Sequence, residues 1–190
     1  MKELLRKDSG RGRPDAINSV AEIRKRARAN VEDGAVTTGY RADRETVLKL
    51  LNETLATEIV CVLRYKRHYY MASGIHAQTA AGEFLEHANM EQAHADRIAE
   101  RIIQLGGAPD LNPDTLTSRS HAEYVEGATL KDMLRENLVA ERIAIESYTD
   151  FIRYLADDDS TTRRMLEEIL ANEEEHADDL KTLMERFVEE

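Results

Sequence analysis

Two short stretches hold most of the chemistry open to this chain. Glu91–Asp96 reads EQAHAD and Glu173–Asp178 reads EEEHAD, so each half contains Glu-x-x-His-Ala-Asp. On a helix, Glu at i and His at i+3 share a face about one turn apart, and both can reach one point in space. Carboxylate with imidazole, and no thiolate, suits a divalent cation such as Fe(II) or Mn(II). The motif alone is weak: with 23 Glu and six His in 190 residues, chance supplies about 0.7 such pairs.

Two further carboxylates make it stronger. Glu58 lies between Leu55 and Val62, and Glu141 between Leu138 and Ile145, each on an apolar stripe of helical spacing. An ionised carboxylate in an apolar interior is costly unless it is neutralised, paired or metal-bound. Glu58 precedes Glu91 by 33 residues, and Glu141 precedes Glu173 by 32. Tyr65 and Tyr148 each follow the lone Glu by seven, two turns along the same face. The chain therefore reads as two copies of one helical hairpin, with an inward Glu on the first helix and Glu-x-x-His on the second. Folded together, the copies gather four carboxylates and two imidazoles. Two divalent cations would cancel the four negative charges.

Four long segments of helical period must position these residues. The first starts at an N-cap, Asp43, and runs to about Ser73. The second runs from about His76 to Leu105, before Gly106, Gly107 and Pro109. The third starts near Thr129, where Thr-x-x-Asp resembles a capping box, and ends near Asp157. The fourth starts near Ser160 and runs almost to Glu190. Short links join the segments except for a stretch of about 107–128. Short, long, short predicts an all-α, up-down-down-up four-helix bundle with one long crossover between the second and third helices. The bundle is assigned to residues 43–190. Residues 1–42 form a basic extension, in which 15–30 can make a short helix.

Composition agrees. Charged residues reach 33%, aromatics only 5%, and three prolines leave long stretches without a helix breaker. One cysteine, Cys61, excludes an internal disulfide framework and a Cys-based metal cluster. The N-terminal stretch has no apolar core of a secretory signal, and no apolar run approaches the roughly 20 residues of a membrane span, so a cytoplasmic location is expected. Net charge is −11, yet residues 1–30 hold nine Lys/Arg against four Asp/Glu, a basic arm of +5 on a body of −16.

Over residues 43–189 the chain resembles the bacterioferritin and ferritin-like di-iron superfamily. LNETLATEIVCVLRY resembles the first-helix motif and EQAHADRIAERIIQLGGAPDL the second. DMLRENLVAERIAIESY and EEILANEEEHADDL are similar to the third and fourth. The resemblance implies two Fe ions per subunit, with Mn or Zn as substitutes. Glu58 and His94 would be terminal ligands of one iron and Glu141 and His176 of the other, with Glu91 and Glu173 bridging. Tyr65 matches a tyrosine beside the site, a candidate electron donor. The implied activity is a ferroxidase that oxidises Fe(II) with O2 or H2O2 and mineralises Fe(III) inside a homo-oligomeric shell.

Three departures refine this expectation. Gln92 stands where bacterioferritins carry a haem-binding Met, so no haem is expected. Only 14 residues follow His176, where bacterioferritins continue into a fifth helix. The basic extension is also foreign to them. The last two features resemble Dps-type mini-ferritins, so a shell of twelve subunits is favoured over 24, with the metal site inside each subunit.

Alternatives carry their own signals. Residues 1–30 read as a solubilising or subunit-docking segment; the alternative is DNA, since phosphate contacts need only clustered Lys and Arg, giving a Dps-like DNA-binding and peroxide-protection protein. Another di-metal enzyme, of manganese catalase or peroxidase type, would use the same six ligands. A bundle with only a structural role is the remote alternative. Tyr65 and Tyr148 divide evenly between core packing and a role beside the metals. His87, one turn before Glu91, reads as a partly buried histidine, with metal entry as the alternative. Cys61 reads as packing, and His121, Glu174 and Glu175 as surface.

Overall fold

The computed structural model describes residues 17–74 and 77–186. Residues 1–16, 75–76 and 187–190 lie outside the described residues, and with them the expected starts of the basic helix and of the second segment and the end of the fourth. The chain divides into two compact units, residues 1–39 and 40–190. The first contains helix α1, Val20–Arg26, which buries none of its side chains and carries Arg24, Lys25 and Arg26 in its last turn.

The second unit is built from α2 (Arg44–Met71), α3 (Ala77–Gln104), α4 (Leu116–Arg119), α5 (Leu130–Leu155) and α6 (Ser160–Arg186). No strand occurs among the described residues. The long helices end where local chemistry stops them. Thr129 and Asp132 close the expected capping box, with Thr129 N–H donating to Asp132 at 3.0 Å and Asp132 N–H to Thr129 at 3.1 Å. Asp43 sits at the N-cap of α2, but its carboxylate accepts from the Thr46 hydroxyl at 2.7 Å rather than from a backbone amide. After α3, Gly106 takes φ +76°, and the amides of Gly107 and Gly106 bond back to Ile102 and Ile103, both at 2.9 Å, closing a Schellman turn. Gly107 answers a different need, because a Cβ there would lie 2.5 Å from Leu48 Cδ2.

Helix α2 packs along α3 and α5 along α6 as two hairpins. Tyr65 bonds to Glu141 and Tyr148 to Glu58. Since each tyrosine lies seven residues after the glutamate of its own helix, this reciprocal pairing requires α2 and α5 to run antiparallel. With short links inside each hairpin, the order is up-down-down-up. The crossover hangs along α2 on side chains that sequence periodicity does not mark. Asp110 N–H donates to Asn52 at 2.7 Å, His121 N–H to Thr57 at 2.9 Å, and Arg64 to Glu123 O at 2.9 Å. Its short helix α4 was not anticipated.

Apolar layers lie on both sides of the middle of the bundle. Leu51, Ile98, Ile102 and Leu166 are fully buried on one side, and Phe84, Ala88, Leu134 and Leu180 on the other. The α5–α6 turn is closed by Asp159, which accepts from Arg101 at 2.9 Å, the Thr162 hydroxyl at 2.6 Å and the Tyr40 hydroxyl at 3.0 Å. Tyr40 thereby joins the bundle, ahead of the expected boundary at residue 43.

Burial works to raise the Asp159 pKa, but the Thr162 hydroxyl and amide and Arg101 outweigh it and hold it below 3.8. Its contribution to stability is therefore present above pH 3.8 and lost as pH falls through the folded value. Asp159→Ala strands the nearly buried Arg101. It is expected to cost about 3 kcal/mol at pH 7, read by urea unfolding, and less at pH 3.

Candidate metal centre

Midway along the bundle the core turns polar. Glu58, Glu91, Glu141, Glu173 and His176 are each 1% exposed and His94 3%. Each long helix brings its share of these six residues from the inward stripe that also supplies its leucines and alanines, so the packing that buries the core buries the carboxylates.

The six side chains sort into two overlapping groups. Glu58, Glu91, His94 and Glu173 form one, and Glu91, Glu141, Glu173 and His176 the other, with ligand atoms within 4.8 Å of one another in each. His94 Nδ1 lies 3.4 Å from Glu58 Oε2, 3.5 Å from Glu91 Oε2 and 3.0 Å from Glu173 Oε1. His176 Nδ1 lies 3.3 Å from Glu91 Oε1, 3.9 Å from Glu141 Oε2 and 3.8 Å from Glu173 Oε2. Glu91 and Glu173 thus turn one oxygen to each group, whereas Glu58 and Glu141 each serve a single group. Among the described residues, Glu58 Oε2, Glu91 Oε1, Glu173 Oε1 and both histidine Nδ1 atoms lack a hydrogen bond of good geometry. Buried polar atoms left in that state are costly, and here they converge on two points. The donor set fits two divalent cations.

Outer contacts orient the inner ones. His94 Nε2 lies 3.2 Å from Asn172 Oδ1, an acceptor that suits a proton on Nε2 and so leaves Nδ1 as the nitrogen to face a metal. His176 Nε2 lies 3.5 Å from Met90 Sδ. The Tyr148 hydroxyl donates to Glu58 Oε1 at 2.6 Å, and the Tyr65 hydroxyl to Glu141 Oε1. Both tyrosines therefore hold a carboxylate of the opposite hairpin. Behind Tyr65, the buried Arg64 guanidinium lies 5.8 Å from its ring centroid and donates to Asn137 at 2.9 Å. Sequence reasoning missed Asn172, Arg64 and Asn137. A buried Arg leaves a sequence signal, a cation on the apolar stripe of α2, but Asn172 lies one residue off its stripe and leaves none.

Without metal, protons must take up the charge. Burial, then the negative charge of Glu91, pushes Glu58 and Glu173 well above the usual carboxylate range, and the same causes raise Glu141. Burial acts on Glu91 too, but contacts with His176, His94 and Glu58 outweigh it and hold Glu91 low. Burial depresses His94, yet Glu173, Glu58 and Glu91 push it up to about 12, and His176 is raised by Glu91 and Glu141 against the same burial.

His87 is fully buried, not partly. Its ring stacks on that of His176 at 3.9 Å between centroids, and its Nδ1 lies 3.2 Å from the Tyr65 hydroxyl. Gln92 bonds to Asp96 at 2.9 Å on the helix surface. Cys61 is buried and free, and His121 is exposed.

A bundle of two hairpins enclosing paired carboxylate–histidine groups defines the carboxylate di-metal class of helical proteins. Residues 48–188 match the model of the ferritin-like domain family, and the chain belongs to that family. A bacterioferritin of Mycobacterium avium is 31% identical over 144 residues, covering 73% of this chain and 84% of the relative. The bacterioferritin-related protein of Bacteroides fragilis, described as a dodecameric thioferritin, superposes with a TM-score of 0.76 at 30% identity over 78% of this chain and 90% of that one. Dps from Thermosynechococcus elongatus shares the fold with a TM-score of 0.71 at 22% identity, over 74% of this chain and 90% of that one. No helix among the described residues is long and apolar enough to cross a membrane.

Proposed function

We propose that this protein is a ferroxidase that takes up Fe(II), oxidises it in pairs and stores the Fe(III) product in an oligomeric shell. The observation that supports this most is the division of labour among the carboxylates. Glu91 and Glu173 offer one oxygen to each histidine, so two Fe(II) substrates held by Glu58 with His94 and Glu141 with His176 share both bridges. Held as a pair, the two ions give up two electrons together. These reduce O2 with two protons to H2O2, or H2O2 with two protons to water.

The protein's own part is positional. Tyr148 and Tyr65 hold the terminal carboxylates, Asn172 sets the His94 tautomer, and the apolar layers on either side limit water. The acidic body favours cation attraction. Membership of the ferritin-like family and the bacterioferritin relatives support iron as the substrate. The dodecameric relative supports a shell of twelve.

The test is anaerobic titration with Fe(II), followed by admission of O2 or H2O2. Saturation at two tightly held Fe(II) per chain and oxidation of the pair in one phase are expected. A single ion per chain, or oxidation no faster than in protein-free buffer, would rule the reading out.

A further inference from the structure

The two halves of the chain repeat every ligand, so positions where they differ become informative. On α3, Glu83 and His87 lie eight and four residues before Glu91. The matching positions before Glu173 on α6 hold Met165 and Ile169. Three residues after His176 comes Asp179; three after His94 comes Arg97, which is tied to Glu168. Antiparallel packing of α3 and α6 sets Glu83 and His87 opposite Asp179 at one end of the centre. At the other end the equivalent places hold two apolar side chains and a cation.

At the first end, Glu83, His87 and Asp179 offer ligand atoms within 4.8 Å of one another. The His87 ring is 1% exposed, and its Nε2 makes no hydrogen bond of good geometry although it lies 3.3 Å from Glu83 Oε1. A buried nitrogen is therefore aimed, without a proper partner, at two solvent-accessible carboxylates. The same His87 also groups with Glu141 and His176, again within 4.8 Å. One side chain thus stands between a site that water reaches and the second metal position.

We infer that Glu83, His87 and Asp179 form a third divalent-cation site, a loading station on one side of the di-metal centre. It rests on the reading of the paired groups as that centre. Two carboxylates and one imidazole suit the same intermediate cations as the inner site, and water can complete the shell on the open side. Entry is one-sided. A cation approaching the opposite end meets the Arg97–Glu168 ion pair, which offers it no net negative charge, and then Ile169, which offers no ligand.

The test uses full-length metal-free protein and Co(II). Crystals soaked in Co(II) should show three anomalous scatterers per chain, two at the paired groups and one among Glu83, His87 and Asp179. In the double variant Glu83→Gln, Asp179→Asn, the third should vanish while the inner pair remains. Visible absorbance should show the inner pair filling about 10-fold more slowly in the variant, as loss of an acidic funnel predicts, to an unchanged final value. Asp179→Arg, which copies the first half, should slow filling in the same way. An inner pair with no third scatterer in the natural protein overturns the new site and leaves the di-metal reading intact. Equal filling rates overturn the loading role, and absence of the inner pair overturns the reading beneath it.

Discussion

Replacing Glu91 or Glu173 with Ala is expected to lower the rate of Fe(II) oxidation by more than about 100-fold, since even groups behind metal ligands are worth about 10–100-fold. The reason lies in geometry. Glu91 sets Oε2 3.5 Å from His94 Nδ1 and Oε1 3.3 Å from His176 Nδ1. Its loss takes a ligand from both positions and a negative charge from between them. Glu58 and Glu141 each serve one position, so Glu58→Ala should leave one Fe(II) bound per chain where Glu91→Ala weakens both. Glu91→Gln keeps the volume and separates charge from packing. Stopped-flow absorbance of Fe(III) formation, with circular dichroism to verify folding, gives the answer. Unchanged oxidation kinetics in Glu91→Ala or Glu173→Ala would sink the assignment.

The metal-free protein should lose stability as pH rises, against the usual behaviour of an acidic chain whose carboxylates are paired. Glu58, Glu141 and Glu173 have folded pKa values above the 4.5 of the unfolded chain. Their contribution is full below pH 4.5 and is lost as pH rises through the folded values. His94, pushed up to about 12, and His176, also raised, contribute fully below pH 6.5 and progressively less above it. Glu91 works the other way only below pH 4.5, and His87, held down at about 3 by burial, and His68, lowered by burial too, add stability as pH rises to 6.5. Three raised carboxylates outweigh those two histidines up to pH 6.5, and above it all five raised groups act together, so stability should decline from pH 5 to pH 8, most steeply above pH 6.5.

Cations that replace those protons reverse the trend, because binding releases protons and strengthens with pH. Mn(II) at 100 times its dissociation constant adds about 2.7 kcal/mol, or about 5–10 °C in Tm for a chain of this size. At one fixed Mn(II) concentration the increment should be larger at pH 8 than at pH 6. Calorimetric scans across that range, with and without Mn(II), measure both effects. Metal-free stability that rises with pH would mean that the buried cluster does not hold the protons assigned to it.

Much of this protein was legible because its signals are periodic or costly. Four helices of 26–28 residues leave unmistakable stripes, and Thr129 with Asp132 marks a helix start by chemistry alone. Glu58 and Glu141 stand out because a charge on an apolar stripe requires a reason. The crossover was harder: α4 has four residues, too few for a period, and its anchors Asn52 and Thr57 look like ordinary polar positions of α2. Asp43 was placed correctly at the N-cap, but which donor its carboxylate would take, Thr46 hydroxyl or backbone amide, is a choice of rotamer.

By itself, then, the sequence determined the four helices, the doubled hairpin and the six candidate ligands, since each follows from spacing along one helix and the cost of burying charge. Only the tertiary structure decided how the helices share those ligands. That Glu91 and Glu173 divide their oxygens, that Tyr65 and Tyr148 cross to the opposite hairpin, and that His87 faces Glu83 and Asp179 on one side only are relations between helices. They depend on the angle and register at which two hairpins pack, and no period within one helix encodes them.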